Sequence, residues 1–87
     1  MLKRYYVHVP KSARKYLSKA PLPWQVRILD VLTKLETDCY LGEKMKGKYA
    51  NQRKIKVWPY RIIYRIREDS KLIEVLEIEH RGHVSYD

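Results

Sequence analysis

Residues 53–66 read RKIKVWPYRIIYRI, which sets Arg53, Lys54, Lys56, Arg61 and Arg65 among side chains that otherwise suit the inside of a sheet, with no carboxylate between them. Like charges this close repel one another, so the arrangement asks for an anionic partner to offset them. Trp58, Tyr60 and Tyr64 are interleaved with these cations. Cations alternating with aromatic rings suit contact with phosphates and bases of single-stranded nucleic acid. The plainer reading is a solvated sheet face, but such a face ordinarily mixes both signs.

Other residues with chemical potential fit their chemistry less well. GEKMKGK, residues 42–48, matches the first seven positions of a phosphate-binding loop, but Tyr49 stands where a Ser or Thr should hold magnesium, and the segment lies between helix and strand rather than strand and helix. His80 and His83 are three apart, yet the third histidine, His8, is at the far end of the chain and the surrounding cations oppose a dication; no metal site is expected. Cys39 is the single cysteine, so no internal disulfide forms; it reads as a small apolar residue closing a helix, in a chain expected to be cytoplasmic.

The distribution of charge carries the argument further than its total. The 87 residues hold 19 Lys and Arg against 10 Asp and Glu, a formal net charge of +9. Residues 1–20 contain six cations and no acid, residues 43–67 nine cations and only Glu43, and acids gather late at Glu68, Asp69, Glu74, Glu77 and Glu79. Such a positive field attracts nucleic acid, anionic lipid or an acidic protein. Lipid is the weakest of the three, since no apolar run approaches a membrane span and MLKRYYVHVPK lacks the apolar centre of a signal peptide.

Hydrophobic periodicity supplies the elements that must position these residues. Tyr5 to Val9 alternates as a short strand, and Pro10 to Lys19 suits a helix with Ala13, Tyr16, Leu17 and Ala20 on one side. A second helix starts near Pro23, with Ile28, Leu29, Leu32 and Leu35 at helical spacing and Arg27, Asp30, Lys34 and Glu36 on the wet side. Residues 39–51 read as a connecting loop. From Gln52 the period becomes two: Ile55 and Val57 oppose Lys54 and Lys56, and after a Trp58-Pro59 turn Tyr60, Ile62, Tyr64 and Ile66 oppose Arg61, Ile63, Arg65 and Arg67. A last strand, Leu72 to Glu79, sets Leu72, Leu76 and Ile78 against Ile73, Val75, Glu77 and Glu79, with Glu74 breaking the pattern. The expected fold is one α+β domain, strand-helix-helix followed by a three-strand antiparallel meander, with both helices on one face of a small antiparallel sheet and Lys54, Lys56, Arg61 and Arg65 on the open face.

The C-terminal block as a whole resembles the RelE/ParE superfamily of small toxins from type II toxin-antitoxin pairs. The residues that carry the resemblance are Gly47, the basic strand Lys54-Ile55-Lys56, the strand Tyr60-Arg61-Ile62-Ile63-Tyr64, the aliphatic strand Ile73 to Ile78, and the ending His80-Arg81 with Tyr86. RelE-like members imply ribosome-dependent cleavage of messenger RNA in the decoding site; ParE-like members imply poisoning of DNA gyrase. Lys54 and Lys56 together with Arg81, His83 and Tyr86 match the positions at which ribonuclease members carry their catalytic set, which favours the RelE-like branch. A gyrase poison and a non-catalytic RNA-binding module are the alternatives. The resemblance also implies no cofactor and a cognate antitoxin whose acidic and apolar side chains cover the basic face, the complex binding operator DNA through the antitoxin.

Cutting RNA without metal requires a base for the 2′-hydroxyl, stabilisation of the phosphorane and an acid for the leaving 5′-oxygen. Arginine does not release its proton, so Arg61 and Arg81 are expected to clamp phosphate oxygens. Lysine acts as a base only where crowding by like charges lowers its ordinary pKa, which leaves Lys54 and Lys56 open between base and clamp. His83 is the candidate acid, and Tyr86 either stacks on a base, orients the 2′-hydroxyl or packs on the sheet edge. Lys46, Lys48, Arg53 and Arg65 are the expected additional RNA contacts.

Overall fold

The computed structural model describes residues 4–80. Its elements are β1 (Tyr6–His8), α1 (Lys11–Ser18), α2 (Leu22–Leu35), β2 (Glu43–Lys44), a 3-10 turn at Gly47–Tyr49, β3 (Arg53–Val57), β4 (Tyr60–Arg67) and β5 (Leu72–His80). The five strands form one sheet in the order β1-β5-β4-β3-β2. The meander β3-β4-β5 is antiparallel as the alternation predicts. The sheet as a whole is mixed, because β1 joins the free edge of β5 in parallel, with the Tyr6 N–H donating to the Lys71 carbonyl at 2.9 Å.

Proline opens both helices. Pro10 and Pro21 occupy the positions before the first turns of α1 and α2, where a missing N–H leaves nothing unsatisfied, and Pro23 falls in the first turn of α2. The Gln25 side-chain amide donates to the carbonyls of Ser18 at 3.1 Å and Ala20 at 2.8 Å, which satisfies acceptors at the end of α1 and ties the two helices together. Both helices cover one sheet face: Ala13, Leu17 and Ala20 of the α1 region and Ile28, Leu32 and Leu35 of α2 pack with Tyr60, Ile62 and Tyr64 of β4 and with Ile73, Val75 and Ile78 of β5. Two residues expected on the covered sides lie at the rim instead. Leu29 is exposed beside Leu22 and Val26 because the small sheet takes only a narrow stripe of α2, and Tyr16 reaches the sheet edge, where its hydroxyl accepts the His80 N–H at 3.0 Å.

In β5 the simple alternation fails. Ile63 is opposite Glu77 while its neighbour Tyr64 is opposite Val75, so Leu76 is an extra residue and the strand is bulged. The bulge puts Ile73, Val75 and Ile78 on the core side together; the expected grouping of Ile78 with Leu72 and Leu76 is therefore corrected, and Glu74 ceases to be an exception. Glu74, Glu77 and Glu79 all end on the open face.

Residues 39–51, expected as plain loop, contain the edge strand β2 and the 3-10 turn. They are pinned from beneath. The fully buried Tyr64 donates its hydroxyl to the Cys39 carbonyl at 2.9 Å and accepts the Gly42 N–H at 2.8 Å. A Cβ on Gly42 would sit 2.7 Å from the Tyr64 ring, so the close approach itself demands glycine. Gly47 has φ +66°, a turn conformation that glycine adopts freely. Cys39 is buried, in keeping with its reading as an apolar closing residue.

Candidate functional site

Directly opposed residues of an antiparallel ladder share a face, so the registers define the open side of the sheet row by row. One row runs Lys56, Arg61, Glu79 and the next Lys54, Ile63, Glu77; beyond the bulge Arg65 faces Glu74. The face thus grades from cationic on β3 to anionic on β5, with arginines between. Arg61 Nη2 donates to Glu79 Oε2 at 2.9 Å, Arg65 Nε to Glu74 Oε1 at 2.7 Å, and Arg67 Nε lies 3.4 Å from the same Glu74 oxygen.

The two kinds of carboxylate on β5 are in opposite electrostatic states. Glu74 is held below the ordinary carboxylate pKa, chiefly by the hydrogen bond from Arg65, with burial acting against it. Glu77 is pushed above it, first by a hydrogen bond with Glu79 and then by burial and by the Glu79 charge, with Arg61 opposing. One face therefore carries a carboxylate whose ionised form is favoured by an arginine and another whose ionised form is disfavoured by a neighbouring carboxyl.

Arg61 stands between two concavities. One, of ≈ 200 Å³, is lined by Lys54, Lys56, Trp58, Tyr60 and Arg61. Trp58 is 68 % exposed there, an indole with little to pack against. The other, of ≈ 360 Å³, is lined by Arg61 with Met45, Tyr49, Gln52, Ile63, Leu76 and Glu77. The Arg61 Nε is buried and has no acceptor among the described residues, although the far end of the same guanidinium is engaged by Glu79. A buried donor left without an acceptor is costly, and an anionic oxygen entering either concavity is the kind of group that would satisfy it.

The structure brings Lys54, Lys56 and Arg61 together as the alternation predicts, and it puts Arg65 on the same face with its Nε bonded to Glu74. Arg53 goes elsewhere. It is opposite the core residue Tyr64, its Nη1 donates to the Gly42 carbonyl at 2.7 Å, and its guanidinium stacks 4.9 Å from the Tyr40 ring centroid, so it serves the loop and not the open face. Lys46 and Lys48 are exposed at the 3-10 turn, with Lys48 Nζ 5.4 Å from the Tyr49 ring centroid. Arg81, His83 and Tyr86 lie outside the described residues. Sequence reasoning assigned no site role to Tyr49 or Gln52, which sit in the stretch read as loop or at its border, and it left Glu77 and Glu79 open between holding arginines in position and moderating the charge of the basic face.

Among the described residues no helix is long and apolar enough to cross a membrane. The chain matches the model of the ParE toxin of the type II toxin-antitoxin system parDE over residues 3–84. No curated protein matches it in a sequence search. Its fold is similar to that of the RelBE2 toxin-antitoxin complex from Mycobacterium tuberculosis, with 22% identity, TM-score 0.79, and 90% of this chain and 99% of that one covered. It is similar also to the archaeal RelE-RelB complex from Pyrococcus horikoshii, with 24% identity, TM-score 0.79 and coverages of 93% and 99%. The isolated Escherichia coli RelE toxin superposes with TM-score 0.75 at 19% identity, covering 87% of this chain and 83% of its own. With its two helices over one face of a meander, its basic β3-β4 hairpin and a family match over nearly its whole length, the chain belongs to the ParE toxin family of type II toxin-antitoxin systems, within the RelE/ParE superfamily.

Proposed function

We propose that this toxin acts as a metal-independent endoribonuclease on messenger RNA in the ribosomal decoding site, with the concavity of Lys54, Lys56, Trp58 and Arg61 as the place where the scissile phosphate binds. The observation that carries the reading is the Arg61 Nε, a buried donor without an acceptor among the described residues, beside two lysines and an exposed indole. Two lysines and a guanidinium around one phosphate stabilise the extra charge of the phosphorane, and an indole offers a stacking surface for a flanking base. Glu79 holds Arg61 by its Nη2 and so fixes the fork with its Nε inward. Arg81, His83 and Tyr86, which follow β5 in sequence, complete the proposed set, His83 as the acid and Tyr86 as a contact to the base or the 2′-hydroxyl. A cognate antitoxin would keep the toxin inactive in the cell.

The family model favours a second reading, since it is that of ParE. Expression of the chain without antitoxin separates the two. Growth arrest with new 5′ ends inside translated messages supports the ribonuclease, and Arg61→Lys, which keeps the charge but loses the planar fork, should then slow cleavage about 10²-fold. Arrest with intact messages and gyrase-dependent DNA breaks would replace it with the gyrase reading.

A further inference from the structure

Cleavage by a 2′-hydroxyl needs a group that takes its proton. A lysine serves only after losing a proton of its own, whereas a carboxylate is ordinarily ready to accept one at neutral pH. The row Lys56, Arg61, Glu79 contains such a carboxylate, one strand away from the proposed phosphate position. Glu79 Oε2 accepts from Arg61 Nη2 at 2.9 Å, with the Arg61 side chain 20 % and the Glu79 side chain 22 % exposed. Arg61 Nε, bonded to the same carbon as Nη2, is the buried donor without an acceptor among the described residues. A phosphate oxygen accepted at Nε therefore stands beside the Glu79 carboxylate, and so does the hydroxyl of the adjoining ribose. A carboxylate offers about four lone-pair sites, of which the Arg61 bond takes one.

The bulge in β5 is what delivers this group. Continued without a break from the Tyr64 and Val75 pair, the ladder would set Ile78 opposite Arg61; the extra residue at Leu76 sets Glu79 there instead. Re-aiming a side chain beside a reactive site is a recurrent use of bulges.

We propose that Glu79 is the general base of the reaction, taking the 2′-hydroxyl proton while Arg61 holds the phosphate. The inference rests on the ribonuclease reading above. As the proton passes to the Glu79 carboxylate, the 2′-oxygen bonds to phosphorus and the bond from phosphorus to the 5′-oxygen breaks. The leaving 5′-oxygen takes a proton from the acid, His83 in that reading. The products are a 2′,3′-cyclic phosphate and a 5′-hydroxyl, after which Glu79 returns its proton to water. Lys54 and Lys56 then serve as clamps on the phosphate. Among the described residues the charged groups facing Glu79 are Arg61 and Lys56 along its row, with Lys54 and Glu77 in the next. Glu77, the other carboxyl of this set, is the control.

The test is single-turnover cleavage of a message on programmed ribosomes by the full-length toxin, from roughly pH 5 to pH 8, with ribosome affinity measured separately. Glu79→Gln keeps an oxygen for Arg61 Nη2 but takes up no proton. It should slow cleavage about 10²-fold or more at pH 7 and leave ribosome affinity unchanged. In wild type and in Glu77→Gln the rate should fall as the pH drops into the carboxylate range, and in Glu79→Gln that dependence should vanish. Glu79→Asp, which retains a carboxylate, should recover part of the rate and the pH dependence with it. A message with sulfur in place of the 5′-oxygen at the cut needs no acid, and Glu79→Gln should cut it as poorly, relative to wild type, as the ordinary message. Cleavage by Glu79→Gln near the wild-type rate, a pH dependence lost in Glu77→Gln but kept in Glu79→Gln, or full rescue by the sulfur would each overturn the assignment while the ribonuclease stands. Intact translated messages with the wild-type toxin would overturn the ribonuclease reading itself, and the base with it.

Discussion

The Tyr64 hydroxyl is one phenol between two backbone groups, accepting from Gly42 and donating to Cys39 at full burial. Burial raises its pKa, with the Gly42 hydrogen bond acting in the opposite direction. Tyr64→Phe keeps the ring in the core but leaves a buried N–H and a buried carbonyl without that partner, a loss on the order of 1–3 kcal/mol. Chemical denaturation should show this as a lower midpoint with an unchanged slope. A midpoint within error of wild type would mean that loop 39–44 finds other partners when the phenol is gone. Tyr40 is shifted in the same direction by a different cause: its hydroxyl donates to Glu68, and that bond, with burial next, pushes its pKa up to about 12.

Between β4 and β5 the ion pairs give opposite pH signatures from one strand. Glu74 has a lowered pKa in the folded state, so it contributes stability above the unfolded carboxylate value and loses it as pH falls through the folded one. Glu77 has a raised pKa, so the fold is favoured while it is protonated and that advantage is lost as pH rises through the raised value. Thermal melts should therefore move in opposite directions at pH 7, downward for Glu74→Gln and upward for Glu77→Gln. Both differences should close as the pH falls below the range in which these carboxyls ionise. Two shifts of the same sign at pH 7 would show that the Arg65 and Glu79 hydrogen bonds do not set these carboxyls apart. The bulge makes this contrast, since it is what brings Glu74 and Glu77 to one face although they are three residues apart.

A net charge of +9 governs the whole molecule's encounter with an anionic partner, but the fold decides which cations take part. Ribosome or RNA affinity measured against salt should fall steeply, and Lys54→Ala or Lys56→Ala should each reduce the slope by about one unit. Arg53→Ala removes the same formal charge from the same strand, yet its guanidinium is committed to Gly42 and Tyr40. It should lower thermal stability and leave the slope nearly unchanged. A full unit lost from the slope on Arg53→Ala would return that residue to the binding face.

From the sequence alone the two helices, the β3-β4 hairpin and the grouping of Lys54 and Lys56 with Arg61 and Arg65 were legible, because a period of 3.6 or two needs only neighbouring residues to declare a face. The family was legible too, carried by the spaced set from Gly47 to Tyr86. The tertiary structure alone decided what depends on distant partners: the parallel entry of β1, the extra residue at Leu76, and the commitment of Arg53, which is in phase with Ile55 and Val57, to the Gly42 carbonyl and the Tyr40 ring. A bulge has no local signature in Val75-Leu76-Glu77, since it exists only as two residues facing one across a ladder. The same holds for Arg61, whose sequence neighbours are apolar but whose Nη2 is held by a glutamate eighteen residues away while its Nε is left inward beside the two lysines.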